Sequence, residues 1–337
     1  METEKTRYGA DKSGLLCGYL FEPGGPGRAI TDEEAAVILG TPDGNDGRTF
    51  LWLHFNLANV ASQRWLRQQL DLPEGFLGAL DHVQSTRVEL AGTSIVAVLN
   101  DVAVFGLDAS SVSTVALCVH DRVVVSARYT PLRSVDLLRE SVKRGETFRS
   151  AVELLAHLLR DQASVLALVV RDATGQVDQI EDKLMANQVA DSRARLGALR
   201  RMLVRLQRLL APEPAALFRL LNRPPSWIGA EDVQDLRESA EEFAAAVADS
   251  AALVERVRLL QEEVSAVVNE QTNRTLFILT VATVVALPMT IIPGLFGMNV
   301  AGVPLQGHPG GFWIVLLAVT AMSSAGAVLA LRRRIER

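Results

Sequence analysis

Hydrophobic and polar positions divide the chain into three regimes, and the sharpest boundary lies near the C-terminus. From Thr275 to Leu331 there is no Asp, Glu, Lys or Arg, whereas the region before it carries ordinary charge. Residues 275–296 supply about 22 uncharged positions and residues 312–331 about 20, each enough to cross roughly 30 Å of hydrocarbon as a helix. Residues 297–311, rich in Gly and Pro, separate them. The pattern predicts two transmembrane helices joined by a short outer loop. Arg274 precedes the first run, and Arg332, Arg333, Arg334 and Arg337 follow the second as a basic tail, 332–337. The loop has no basic side chain but His308. Lys and Arg favour the cytoplasmic side, so both termini are expected there. Phe312 and Trp313 fall where an outer aromatic belt would sit. Pro288 and Pro293 interrupt the first run, which a membrane helix tolerates where neighbours satisfy the freed carbonyls. Ser323 to Ala327, "SSAGA", reads as simple close packing of helix backbones.

Upstream, the period is that of one long helix. Pro224 and Pro225 end what precedes it, and Glu231, Asp232 and Asp235 suit the positive end of a helix dipole. Apolar residues then recur at spacings of 3 and 4: Val233, Leu236, Ala240, Phe243, Val247, Val254, Val257, Val264 and Val268. This is a heptad-type seam. Ser250, Gln261 and Gln271 break it, either to set the register of a helix bundle or to face a wet axis. No Gly or Pro occurs from Ala230 to Leu287, so stalk and first span read as one helix. About 66 residues at 1.5 Å each give roughly 100 Å. Such a helix is expected to pack on copies of itself. The acidic run "EDVQDLRESAEE" reads as a solvated face, or as a cation-attracting cytoplasmic mouth.

The first 145 residues carry short β-like runs at 49–57, 93–105, 113–121 and 122–130, with a tight turn expected at Asp121-Arg122. Helical patterns intervene at "ASQRWLRQQL" and "PEGFLGALDHV". Residues 1–145 are therefore expected to form an α+β cytosolic domain, and 146–274 a helical region ending in the stalk. Within it, "RARLGALRRMLVRLQRLL" is basic and amphipathic, and is expected to pack against the acidic stalk.

Composition then narrows the function. The 337 residues carry a formal net charge of −5, which argues against nucleic acid as a partner. The N-terminus lacks a basic segment followed by an apolar core, so the large domain is expected in the cytoplasm. Cys17 and Cys118 are far apart and outside any Cys-x-x-Cys pair, as expected of reduced, buried, structural residues. No P-loop, Gly-x-Gly-x-x-Gly or Gly-x-Ser-x-Gly motif is present. The histidines, His54, His82, His120, His157 and His308, form no i, i+4 pair, and His54 in a strand reads as structural. No local His/Cys/carboxylate set offers zinc ligands. The chain is expected not to be an enzyme, to need no cofactor and to hold no metal tightly. Two helices cannot enclose a polar path, so the hairpin either anchors a sensor or scaffold, or conducts ions as an assembly of several copies.

At "LPMTIIPGLFGMNVAGVP" the sequence resembles the CorA superfamily of divalent metal ion transporters, and is most similar to its ZntB branch. That branch shows Leu-Pro-x-Thr, Gly-Leu-Phe-Gly and Asn-x-Gly-Gly-Ile-Pro in this region. "LWLHFNLANVASQRWL", "STRVEL" and "RVVVSAR" extend the similarity over nearly the whole chain. Ala301 stands where the branch usually has Gly, and the Met-Pro-Glu of the magnesium branch is missing from the loop. The resemblance implies a funnel-shaped homopentamer in the bacterial inner membrane, with a pore lined by five copies of the first span. It implies Zn²⁺ as the transported substrate, with Ni²⁺, Co²⁺ or Cd²⁺ as further ions; a Mg²⁺/Co²⁺ channel is the alternative.

On that reading Gly297, Met298 and Asn299 form the selectivity loop, with Asn299 side chains ringing the outer mouth. Helical spacing from Asn299 places Thr290, Leu287, Thr283, Thr280, Leu276 and Asn273 on one pore-lining face, with Glu262 at the cytosolic mouth. Helix packing is the plainer use of the same face. The span has no His, Cys, Asp or Glu to replace a hydration shell, so ions are expected to pass at least partly hydrated. His308 in the outer loop is either solvated or an outer metal or proton contact.

Overall fold

A computed structural model describes residues 13–40, 49–81, 86–103, 112–186, 192–298, 304–305 and 308–335. The chain divides into two compact units, residues 1–261 and 262–337.

The first unit is built on a seven-stranded sheet of order β2-β1-β3-β7-β6-β5-β4. The strands are β1 (Leu15–Phe21), β2 (Arg28–Ala29), β3 (Phe50–Asn56), β4 (Arg87–Ala91), β5 (Ser94–Val102), β6 (Val112–His120) and β7 (Val123–Arg128). Neighbours are antiparallel except β3 and β7, which run parallel with Leu51 opposite Val123. Alternation along β3 explains its continuous apolar run: Phe50 and Trp52 enter one core, Leu51, Leu53 and Phe55 the other. The second core is closed by α1 (Asp32–Gly40), α2 (Val60–Gln69) and α3 (Glu74–Asp81) through Ala35, Leu66, Phe76 and Leu80. The first is closed by α4 (Arg133–Lys143), α5 (Ala151–Met185), α7 (Pro212–Leu221) and the start of α8 (Ala230–Phe296). A basic helix, α6 (Ser192–Leu210), lies between α5 and α7 in sequence, and α9 (Gly311–Ile335) closes the chain.

His54 is fully buried and structural, as its strand position suggests. Its Nε2 accepts from Arg128 Nε at 2.9 Å, so its Nδ1–H donates to Ser126 Oγ at 2.8 Å, which also accepts from Trp52 Nε1 at 2.9 Å. Burial, then the Arg128 charge, holds the ring well below the usual histidine range and keeps it neutral. Both cysteines are free. Burial pushes Cys17 up to about 12 and Cys118 up to about 11, so neither is a ready nucleophile.

Helix α8 runs for 67 residues, through both Pro288 and Pro293. Its seam has a different partner from the one the heptads suggest. Leu236, Ala240, Phe243, Ala246, Ser250, Leu253, Val257, Leu260 and Val264 are buried within the single chain. Side-chain links to α5 and α6 fix the arrangement. Arg149, just before α5, pairs with Asp232 at 3.3 Å and with Asp235; Arg256 pairs with Asp178 at 2.7 Å and Glu181 at 2.5 Å; Arg200 of α6 donates to Gln261 at 3.2 Å. The seam is thus filled in cis, which corrects the expectation that it packs on other copies. Ala246, Leu253 and Leu260, each one residue before Val247, Val254 and Gln261, take the second set of buried places, and the seam keeps the seven-residue repeat of Phe243, Ser250, Val257 and Val264. Ser250, 1% exposed, faces protein rather than a wet axis. The acidic start of α8 is engaged by Arg149 rather than by the arginines of α6.

Beyond Val98, the partner of the first residue of β4, a buried acid takes up the hydrogen bonding of β5. Glu213, in the first turn of α7, is wholly inaccessible. It accepts from the Asn100 backbone N–H at 2.6 Å and from Gln162 Nε2 at 2.8 Å, tying β5, α5 and α7 together. Burial pushes its carboxyl up to about 8, against the pull of those bonds, and the nearby Asp101 adds to the rise. The native chain therefore keeps a proton that the unfolded chain, with an ordinary value of 4.5, releases. The stability this contributes is full below that ordinary value and is lost as pH rises through the folded value. Glu213→Gln, which cannot ionise but sets an amide NH2 against one of these donors, is expected to lose less stability between pH 4 and pH 9 than the native protein, by on the order of 3 kcal/mol. Thermal unfolding at the two pH values checks this; an equal effect at both would contradict it.

Candidate functional site

The second unit is the hairpin of α8 and α9, the two described helices long and apolar enough to cross a membrane. Their contact selects one side of α8. Phe277, Val281, Val285, Pro288 and Ile292 recur at helical spacing and are partly shielded. Ser323 of α9 is buried and donates its hydroxyl to the Val285 carbonyl at 3.1 Å. A Cβ on Gly326 would stand 2.7 Å from Val284 Cγ1, so only glycine lets the backbones approach this closely. The small residues of "SSAGA" therefore serve helix packing.

The opposite side of α8 faces away from α9. Glu262, Asn273, Leu276, Thr280, Thr283, Leu287 and Thr290 all lie on it by their 3- and 4-residue spacing, and all are exposed. Leu276 and Leu287 are 54% and 53% exposed, in line with other apolar residues of the same helix such as Ile278 and Leu279. The threonines on this face share one local geometry. Thr280 Oγ1 donates to the Leu276 carbonyl at 2.8 Å, Thr283 to Leu279 at 2.9 Å, and Thr290 to Leu287 at 3.1 Å and Ala286 at 3.2 Å. Each hydroxyl hydrogen is committed to the helix, so each oxygen offers only lone pairs outward. Sequence spacing finds the face; this locked polarity needs the backbone coordinates.

At the C-terminal end of α8, Gly297 terminates the helix by donating its N–H to the Pro293 carbonyl at 2.8 Å, and a Cβ there would come within 3.2 Å of that oxygen. Asn299 lies outside the described residues. Gly297, Met298 and His308 are brought together around one groove of about 490 Å³, walled by Phe296, Leu305 and Phe312. Leu305, at φ 68, accepts from the His308 N–H at 3.1 Å and turns the chain toward α9. His308 Nδ1 accepts from the Gly310 N–H at 3.1 Å, which leaves Nε2 as the outward nitrogen. Phe312 and Trp313 are exposed beside it with their rings edge to face at 5.4 Å. Among the described residues no group of three or more His, Cys, Asp or Glu is placed to hold a metal ion.

Comparison with known proteins gives one consistent answer. Residues 47–333 match the family model described as CorA-like Mg²⁺ transporter protein. The divalent cation transporter CmaX of Pseudomonas aeruginosa is 30% identical over 322 residues, covering 93% of this chain and 94% of the relative. The zinc transport protein ZntB of Pectobacterium atrosepticum is 24% identical over 289 residues, covering 84% of this chain and 87% of the relative. The solved structure of full-length CmaX superposes with a TM-score of 0.79 at 27% identity, over 96% of this chain and 99% of that one. A soluble α/β domain, a single long helix and a C-terminal helical pair, matched over nearly the full length in both sequence and fold, place this chain in the CorA-like family of divalent-cation transporters.

Proposed function

We propose that copies of this chain, assembled as a homopentamer in the bacterial inner membrane, conduct Zn²⁺ and related divalent ions along the exposed face of α8. The observation that supports this is that face itself. A helix otherwise fit for hydrocarbon exposes Asn273, Thr280, Thr283 and Thr290 on the side that α9 leaves open. In a bundle of several copies those residues have a use as the wall of a wet path. Residues 275–296 and 312–331 are then transmembrane helices, 297–311 is the outer loop, and the 1–145 domain, the 146–274 helices and the 332–337 tail are cytoplasmic. Arg274 and Arg332 at the inner ends of the spans favour that orientation.

The chemistry of the face suits a hydrated cation. Water bound to a cation points its hydrogens outward, and the locked threonine oxygens accept them. Within residues 275–296 the face has no charged or imidazole ligand that would strip a divalent ion, Glu262 lying well before them, so selection works on the size and outer shell of the hydrate. Leu276 and Leu287 form apolar constrictions between the polar rings and close the path by dewetting. Gly297 and Met298 shape the outer mouth presented by Asn299. The membrane potential supplies the driving force: a divalent ion moving inward gains about 4.6 kcal/mol per 100 mV, twice the roughly 2.3 of a single charge. The spans hold no ionisable side chain for a proton relay.

The choice of ion has a second reading. The family model is named for Mg²⁺, whereas ZntB relatives are named for zinc, and CmaX for divalent cations in general. Uptake of Zn²⁺, Ni²⁺, Co²⁺, Cd²⁺ and Mg²⁺ into proteoliposomes under an inside-negative potential separates them. Zinc-group uptake well above Mg²⁺ is expected, and absence of all flux would leave the hairpin as an anchor for a sensor or scaffold. Asn299→Ala is expected to lower flux by about tenfold or more with the oligomer intact; wild-type flux would remove Asn299 from the mouth.

The threonine face makes a separate prediction. Replacing Thr280, Thr283 and Thr290 together by Val keeps shape but removes the oxygens, and is expected to lower flux by about tenfold. The Ser triple variant restores an oxygen able to bond the same carbonyls and is expected to stay within about threefold of wild type. Equal flux from the Val and Ser proteins would show that these side chains only pack.

A further inference from the structure

We infer that Ser323 is a positioning residue for the cation path, bracing α8 at the weak point that Pro288 creates. The inference rests on α8 lining that path, and its test is separable from that reading. Proline has no N–H, and its ring crowds the carbonyl four residues earlier, so Pro288 deprives Val284 of its helical donor and loosens the turn. Membrane hydrocarbon supplies no replacement, and neighbouring Ser or Thr side chains are the usual remedy.

Donors converge on this turn from two directions. Thr290 of the same helix donates to the Ala286 and Leu287 carbonyls at 3.2 and 3.1 Å. Ser323, from α9, donates to Val285 at 3.1 Å and is 3% exposed. Gly326, one turn further along α9, lies against Val284, the residue whose carbonyl Pro288 leaves without its donor. The carbonyls of Val285, Ala286 and Leu287, the three that follow the one Pro288 leaves without its donor, thus each receive a side-chain hydroxyl. Ser323 supplies the one donor of these that comes from outside α8.

The position gives the brace a functional consequence. Pro288 separates Leu276, Thr280 and Thr283 on the inner half of the exposed face from Thr290, Gly297 and Met298 on the outer half. Leu287, one of the two apolar constrictions, is the residue immediately before the proline. Tilt or rotation at this turn would move the outer half relative to the inner half and shift Leu287 in the path. Ser323 holds the two halves of the face in register while touching neither the ion nor the face.

The test is an interaction between two substitutions, read in reconstituted full-length protein with oligomer content measured. Ser323→Ala is expected to change divalent-cation flux per oligomer by about fivefold, and Ser323→Thr, which keeps the hydroxyl, by less than about twofold. In a Pro288→Ala background the ladder bond to Val284 returns and the brace is redundant, so Ser323→Ala should then change flux by less than about twofold. An equal effect of Ser323→Ala in both backgrounds, or none in either, would overturn the inference. Amide hydrogen exchange across 285–295 gives a readout independent of conduction. Ser323→Ala is expected to speed exchange there only while Pro288 is present. This holds even for a protein that carries no flux, the outcome that would refute transport and leave the brace intact. Unchanged exchange would overturn it.

Discussion

Hydrocarbon offers no hydrogen-bonding partner, and the whole C-terminal unit is organised by that constraint. Helix α8 answers it along its backbone and with its threonines, each of which returns its hydroxyl hydrogen to a carbonyl of the preceding turn. Helix α9 answers it at Val285 through Ser323. What remains exposed on the far side of α8 is a row of oxygen lone pairs and two leucines. A single chain in lipid would gain nothing from such a face. Several copies arranged about an axis would enclose it with water, and the same oxygens would then face the outward hydrogens of a hydrated cation.

The first unit solves a different problem, that of carrying a long helix without leaving its apolar seam bare. Helices α5 and α6 cover the seam within the chain, fastened by Arg149 at one end and Arg256 further along. Assembly therefore does not have to supply the seam with a partner. The surfaces left for contact between copies are the outer faces of these helices, the sheet domain and the spans.

Much of this was legible in the sequence, for physical reasons that differ by element. The uncharged stretch from Thr275 to Leu331 and the Gly- and Pro-free run from Ala230 announce a hairpin and a long helix because membrane thickness and helix rise leave few alternatives. The turn at Asp121-Arg122 and the flanking strands are local in origin and were readable as such. The partner of the stalk seam was not readable: a heptad reports that a face is buried, not whether the cover comes from the same chain. The parallel pairing of β3 with β7 is a long-range contact with no local signal. β1, "LLCGYLF", hid because Gly and Cys blur its alternation. Of the expected site, the spacing of Thr280, Thr283, Leu287 and Thr290 sufficed to put them on one face. The commitment of the hydroxyls to backbone carbonyls, and the Ser323 brace, depend on coordinates.

The central claim is that the exposed face of α8, and not the face against α9, borders the ion path. Single cysteines on the two faces test it directly, with Cys17 and Cys118, whose thiols burial pushes up, unchanged as the control. Cation flux into proteoliposomes would be measured before and after a membrane-impermeant thiol reagent, for Thr283→Cys and for Val281→Cys. The account predicts that the reagent blocks flux through Thr283→Cys and leaves Val281→Cys unaffected. Block of Val281→Cys with continued flux through modified Thr283→Cys would place the path on the other side of the helix and contradict it.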